Sequence, residues 1–135
     1  MERYEGGCHC GRVEFVLEGT PLQAVFCHCS VCRRSTGSPY VMGGFWDPPR
    51  TRIIRGGPLL ERGTSAHVTR HRCPGCGAAI FNAVRGGERP TNNFMLALLR
   101  ELDAAVRPTH HIYYADRVID IHDDLPRFDR FEWLP

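Results

Sequence analysis

At 135 residues and 15.3 kDa the chain has the length of one ordinary domain and leaves little room for a second. Its 42% hydrophobic and 24% charged content supplies a modest core and excludes a wholly disordered chain. The basic residues number 17, all of them arginine, against 15 acids; a net charge of +2 argues against strong nonspecific attraction to nucleic acid, although residues 50–72 hold six arginines and one acid.

Seven cysteines in so short a chain invite a metal reading before a generic globular one. Their odd number fits a complete disulfide framework poorly, and the amino-terminal run MERYEGGCHCGR lacks the apolar segment of a secretion signal. No apolar stretch approaches the roughly 20 residues needed to cross a bilayer. A reducing, cytoplasmic setting is therefore expected.

From Arg12 to Leu17, apolar Val13, Phe15 and Leu17 alternate with polar neighbours, the period of a half-buried strand bounded by Gly11 and Gly19. Ala24-Val25-Phe26 predicts a second strand that delivers Cys27, Cys29 and Cys32 into a following turn. Tyr40-Val41-Met42 and Arg52-Ile53-Ile54-Arg55 predict two more, separated by glycines and Pro48-Pro49, punctuation that excludes a long helix. Residues 66–72 lead into Cys73-Pro74-Gly75-Cys76-Gly77, a tight turn that brings two thiols together, and residues 78–84 predict the returning strand. Across residues 93–106, Phe94, Leu98 and Leu102 share one helical face, with Asn92 or Asn93 as cap, so the local pattern predicts a helix. Residues 110–114 read as a strand and Asp123-Asp124-Leu125-Pro126 as a turn, with Phe128, Phe131 and Trp133 covering one side of the core. Nothing marks a repeat beyond the cysteine clusters, a linker or a boundary, so residues 1–135 are expected to form one domain.

The chemistry lies in three clusters: Cys8-His9-Cys10, Cys27-His28-Cys29 with Cys32, and Cys73-Pro74-Gly75-Cys76. Any one pair is a weak signal, whereas the combination points strongly to zinc. Thiolates are soft, charged ligands, and a tetrahedral site needs their sulfurs gathered at roughly 2.3 Å from the metal. A glycine-assisted bend can converge Cys8 and Cys10, and the Pro-Gly turn converges Cys73 and Cys76, so these two pairs can lock distant segments around one ion. Spacing alone leaves a rival grouping open, in which Cys29 and Cys32 join Cys73 and Cys76 in a zinc-ribbon-like site.

Taken together these pieces resemble the glutathione-dependent formaldehyde-activating enzyme family, also associated with centromere protein V. The resemblance is carried by Gly7-Cys8-His9-Cys10-Gly11, Cys27-His28-Cys29-Ser30-Val31-Cys32-Arg33, Thr36-Gly37-Ser38, Cys73-Pro74-Gly75-Cys76-Gly77 and His110-His111-Ile112-Tyr113, and it covers most of residues 7–128. It implies a mainly β, Mss4-like or beta-tent fold of short antiparallel strands around zinc. It also pulls residues 93–99 from helix to strand, since tertiary pairing overrides local propensity. By the same resemblance Cys8, Cys10, Cys73 and Cys76 form a closed structural zinc site. Cys27, Cys29 and Cys32 supply three ligands to a second, more labile zinc and are the catalytic set, giving two Zn2+ per chain.

The implied partners are glutathione, or a related small thiol, and formaldehyde; the small net charge disfavours nucleic acid, and the short apolar runs leave no membrane span expected. The implied activity is that of a zinc-dependent carbon-sulfur lyase handling S-(hydroxymethyl)glutathione. Arg33 and Arg34, next to the second site, are expected to bind glutathione carboxylates, with Ser35, Thr36 or Ser38 orienting its backbone. His9, His28, His110 and His111 read first as support or exposed surface, and Phe45, Trp46, Phe128 and Trp133 as core or cover. The chain departs from the family pattern at Arg72, where an apolar aromatic commonly precedes the last cysteine pair, and at Val118, where relatives often offer an aromatic. Two competing readings are a zinc-stabilised protein or nucleic-acid binding module without catalysis, and thiol redox chemistry or metal buffering. Stable zinc coordination would shield thiols that a redox catalyst needs free.

Overall fold

The computed structural model describes residues 2–132. Its strands are β1 (Arg3–Gly7), β2 (Glu14–Glu18), β3 (Gln23–Cys27), β4 (Val41–Trp46), β5 (Thr51–Arg55), β6 (Leu60–Gly63), β7 (Val68–Arg72), β8 (Ala79–Val84), β9 (Thr91–Met95) and β10 (His110–Ile112), with one α-helix, α1 (Ser30–Thr36). No helix among the described residues is long and apolar enough to cross a membrane. The mainly β class expected from the resemblance is what the chain adopts.

Two sheets form. The smaller has the order β1-β2-β5, and the larger runs β10-β3-β4-β9-β8-β7-β6. The pairings are antiparallel except one: β10 lies parallel to β3, with His111 opposite Phe26. That exception departs from an all-antiparallel expectation, and it follows from the long connection after β9, which carries the chain back to the free edge of β3.

The alternation of Val13, Phe15 and Leu17 does its expected work. All three side chains are fully buried, and with Trp46, Ile80, Phe94 and Leu96 they form the main core. Phe94 sits between Phe15 and Phe81, each ring centroid 4.8 Å away. A second cluster of Val25, Cys27, Cys32, Phe45 and Ile112 lies under the helix. Phe131 packs on Phe45 at 5.1 Å and Phe128 meets His110 edge-on, so the tail covers this flank, while Trp133 lies outside the described residues.

Residues 93–106 do not form the helix that their leucine spacing predicts. Thr91–Met95 is a buried strand held between β4 and β8. The strand expected to reach residue 99 stops at Met95; Leu96–Leu98 is a 3-10 turn, and a second such turn spans Ala104–Val106. A central strand gains ladder hydrogen bonds on both edges and burial on both faces, which outweighs a local helical preference. Asn92 and Asn93, read as helix caps, pair with Trp46 and Phe45. Similarly, the segment after β3 is a helix and not only a turn: Cys29 caps it by accepting the Cys32 N–H at 3.2 Å, and Gly37 ends it at φ +77°. β1 and β6 carried no clear periodic signal; β6 is exposed along its length.

Gly6 shows how tightly the smaller sheet seats. A Cβ there would fall 2.4 Å from the Phe15 ring and 2.7 Å from the Leu98 carbonyl oxygen. Neither neighbour can retreat, one being buried and the other backbone. Gly6→Ala should therefore cost about 1–3 kcal/mol by overpacking, measured as a fall in the urea midpoint; an unchanged midpoint would contradict this packing.

Candidate metal centre

The chain between β1 and β2 bends back through Gly11, at φ +80°, so that Cys8 and Cys10 face one another with sulfurs 3.6 Å apart. The turn between β7 and β8 presents Cys73 and Cys76 to the same point, and Cys10 Sγ lies 3.7 Å from Cys73 Sγ. All four sulfurs lie within 4.8 Å of one another. A disulfide needs about 2.05 Å, so these are separate thiols, whereas a tetrahedron with metal–sulfur bonds of about 2.3 Å has edges of about 3.8 Å. The donor set and its spacing fit a tetrahedral thiolate-bound ion.

The backbone is shaped for negative sulfur. Val13 N–H donates to Cys8 Sγ at 3.4 Å, and the N–H groups of Gly75 and Cys76 donate to Cys73 Sγ at 3.3 and 3.5 Å. A Cβ at position 75 would stand 3.2 Å from Cys10 Sγ, so glycine lets the turn close over the cluster. Burial works against ionising Cys8, yet the Val13 N–H and the neighbouring thiols prevail and bring it down to about 6.

The second group is Cys27 at the end of β3, Cys29 at the cap of α1 and Cys32 within it, again all within 4.8 Å. Cys27 Sγ and Cys32 Sγ are 3.6 Å apart. Among the described residues no histidine, carboxylate or further cysteine completes this group as a fourth ligand. Thiol hydrogen bonds from Cys27 and Cys32, then the Cys32 N–H and the Arg70 charge, hold Cys29 far below the ordinary thiol range; Cys27 rises because its S–H donates to Cys29, and burial adds to this. In effect the three sulfurs share one negative charge, an arrangement that a divalent cation would convert to three thiolates.

Beside this cluster opens a cavity of about 760 Å³, lined by Cys27, Cys29 and Cys32, by Phe45, Val84, Ile112 and Phe131, and by Arg70, Arg89 and Tyr113. Its size is that of a small-molecule site. Arg33 and Arg34, named from sequence as carboxylate binders, are not among its lining residues. The arginines that reach it are Arg70, whose Nη1 donates to Cys32 Sγ at 3.4 Å, and Arg89, paired with Asp47 at 2.6 Å. Tyr113 is the only non-glycine residue among those described with positive φ, at 52°; a bulky side chain held there is backbone strain stored at the cavity wall. Sequence reasoning gave none of the three a role at the site, because a strand arginine, a loop arginine and a strained tyrosine gain meaning only once the topology sets them beside the cysteines.

His28 is not part of the three-sulfur group. It is fully buried, between Tyr40 and Tyr114, and its Nε2 lies 2.9 Å from His111 Nδ1, whose own Nε2 lies 2.9 Å from Asp123 Oδ2. Burial first, then the neighbouring His111 and the charges of Arg117 and Arg127, lower His28 to about 4, so it is neutral at pH 7. An ionised Asp123 accepts a hydrogen bond from His111 Nε2–H, so His111 Nδ1 accepts from His28 Nε2–H, the assignment the network requires. The chain ties the Cys27–Cys29 segment to β10 and to the carboxyl-terminal tail. His110 is buried, whereas His9 is exposed.

The family model described as "Glutathione-dependent formaldehyde-activating enzyme" matches residues 3–116. The chain belongs to this family. A curated relative from Halomonas elongata, named "Putative glutathione-dependent formaldehyde-activating enzyme", is 29% identical over 84 residues, 57% of this chain and 54% of that protein. The chain thus spans about half the length of the curated relative it matches. The crystal structure of a Rhodobacter sphaeroides protein superposes with a TM-score of 0.59 at 24% identity, covering 74% of this chain and 91% of that one, a likeness of fold.

The tie to Asp123 has a pH signature. Its carboxyl is drawn below the ordinary value of 3.8, first by the His111 N–H, with burial opposing and the Leu125 N–H assisting. A carboxyl whose folded pKa is depressed stabilises fully above its unfolded value and loses that contribution as pH falls through the folded one. The gap in urea midpoint between the wild-type protein and Asp123→Asn should be constant near neutrality and shrink progressively below about pH 4. A gap that widens on acidification would contradict the assignment.

Proposed function

We propose that this protein is a zinc-dependent enzyme of the carbon-sulfur lyase type, which joins a small thiol such as glutathione to formaldehyde and releases it again. The observation that supports this most directly is the three-sulfur cluster without a fourth protein ligand among the described residues, set in the wall of a cavity of about 760 Å³. On this reading Cys27, Cys29 and Cys32 would hold one zinc at the wall of the cavity. Cys8, Cys10, Cys73 and Cys76 hold a second, structural one, for two ions per chain. A zinc-thiolate structural site contributes roughly 10–16 kcal/mol of apparent binding energy, comparable to the whole stability of a small domain.

When bound, the ion of the three-cysteine group would supply a Lewis acid that stabilises an external thiolate at neutral pH. The remaining work falls to the chain. The thiol S–H bond and the carbonyl π bond break, a carbon–sulfur bond forms, and the proton passes to oxygen, giving the S-hydroxymethyl adduct with no electrons gained or lost. Arg70 fixes the Cys32 sulfur. Tyr113, whose phenol is pushed up by burial and then by the cysteine charges, keeps its proton and offers an O–H donor to the adduct oxygen. Phe45, Ile112 and Phe131 exclude water from the thiol's aliphatic part. A carboxylate of glutathione would meet Arg89 in place of Arg33 or Arg34.

Zinc-loaded protein should accelerate both formation and cleavage of the glutathione adduct over the uncatalysed background, followed by NMR with 13C-formaldehyde. No acceleration together with no glutathione binding would sink the proposed activity. Cys29→Ala should abolish turnover and lose one equivalent of zinc while remaining folded, whereas Cys73→Ala should lose the fold itself. Retention of both ions after either substitution contradicts the division of labour.

Calorimetric titration separates the arginines. Arg89→Ala should weaken glutathione binding about tenfold, as expected for a charged hydrogen bond worth about 1.5 kcal/mol. The double variant Arg33→Ala Arg34→Ala should bind as the wild type does. The opposite pattern would return the carboxylates to the helix.

A further inference from the structure

We propose that Arg72 is a positioning residue that couples the two metal centres, holding the ligand-bearing helix of the open centre against the turn of the closed one. This rests on reading both cysteine groups as metal centres. Arg72 ends β7, and the next residue, Cys73, belongs to the closed group. Its Nη1 donates to the Gly77 carbonyl at 2.9 Å, one residue past Cys76. Its Nη2 donates to the carbonyl of Ser35, in α1, three residues past Cys32. One planar group therefore spans two chain segments, each carrying a cysteine of a different cluster.

Three further observations on the same seam support a mechanical link. Arg70, also on β7, reaches Cys32 Sγ at 3.4 Å and Thr64 Oγ1 at 3.3 Å. The ladder between β7 and β8 shifts register between His71 and Arg72, the kind of irregularity that re-aims a side chain at the end of a strand. The space left between α1 and the sheet, bounded by Cys32, Ser35, Thr36, Arg70 and Arg72, is only about 10 Å³, no more than one water could fill. A helix this closely fitted transmits a shift of the turn to Cys32 and has little slack to absorb it.

The bridge needs arginine. The two N–H donors sit on different nitrogens of a rigid fork, and each meets a carbonyl on a separate segment; a lysine ammonium is one point charge and reaches one side only. Without the bridge, α1 and the turn move independently. The open centre, with three ligands, then gives up its metal first, and the closed centre keeps four.

The test is cadmium exchange. Wild type, Arg72→Ala, Arg72→Lys and Arg55→Ala are loaded with two equivalents of 113Cd2+ and titrated with a chelator, the S4 and S3 environments being read as separate NMR resonances. Arg72→Ala should lose the S3 resonance at roughly 10- to 100-fold weaker effective affinity, the usual effect of removing a partner behind a metal ligand, while its S4 resonance persists. Arg72→Lys should show the same loss and carries the test if the alanine variant does not fold. Arg55→Ala removes a 2.8 Å bond to the Gly11 carbonyl, on the other loop of the closed group, without touching α1, and should leave the S3 resonance as in wild type. Unchanged S3 retention in both Arg72 variants, or an equal loss in Arg55→Ala, overturns the coupling. Wild type that holds fewer than two ions overturns the reading of the clusters as well, and does so before any substitution is made.

Discussion

Four sulfurs drawn from positions more than sixty residues apart must meet at one point, and that demand organises the molecule. Cys10 and Cys73, separated by 63 positions, lie 3.7 Å apart because β1 and β2 belong to one sheet, β7 and β8 to the other, and a shared core of Phe15, Ile80 and Phe94 fixes the distance between them. Cys73 is itself fully buried in that core. Packing thiols so closely is costly once they ionise, since each charge opposes the next. The shifts carry that frustration: Cys8 moves down while Cys10 moves up to about 11, held protonated by its partners although the Arg12 N–H favours its charge. A divalent cation removes the conflict by making every thiolate favourable at once, which is why such a site binds metal and folds in one step.

The open group solves the same problem with different local means. Cys29 serves twice, as a member of the three-sulfur group and as the cap of α1, its sulfur accepting the Cys32 N–H that would otherwise go unpaired. Helix start and ligand geometry are therefore one feature, and a metal that draws Cys29 into place also fixes the first turn of the helix. On the opposite side of the same segment the His28–His111–Asp123 chain pins the backbone to β10. The parallel pairing of β10 with β3 places His111 beside Phe26, within reach of His28. The segment is held from both faces, and the sulfurs that it carries face the cavity.

How far the sequence foretold this depends on whether the deciding physics was local. Val13, Phe15 and Leu17 declared a strand because alternation is a property of neighbours, and Cys73-Pro74-Gly75-Cys76 declared a turn because glycine and proline restrict the backbone where they stand. Residues 93–106 misled for the same reason. Their spacing is helical, but the fate of Thr91–Met95 is set by β4 and β8 on either side, and no local window contains those strands. The chemistry divides likewise. The cysteines were legible from type and spacing, whereas Arg70, Arg89, Tyr113 and Asp123 acquire roles only through contacts that span long sequence separations. Arg33 and Arg34 drew attention by adjacency, whereas the arginines that line the cavity come from β7 and the β8–β9 connection.

Arg72 illustrates the converse, a residue whose departure from pattern was visible before its meaning was. An aromatic ring at that position would pack against the turn by area alone, and area is indifferent to small sliding. A guanidinium that donates to two carbonyls is not, because each hydrogen bond fixes direction as well as distance. The arginine supplies direction at the seam between α1, which carries Cys32, and the turn that carries Cys73 and Cys76. The same two bonds explain how a polar residue is accommodated there: its donors are spent on the Gly77 and Ser35 carbonyls, so the half-buried charge is solvated by the backbone it holds together.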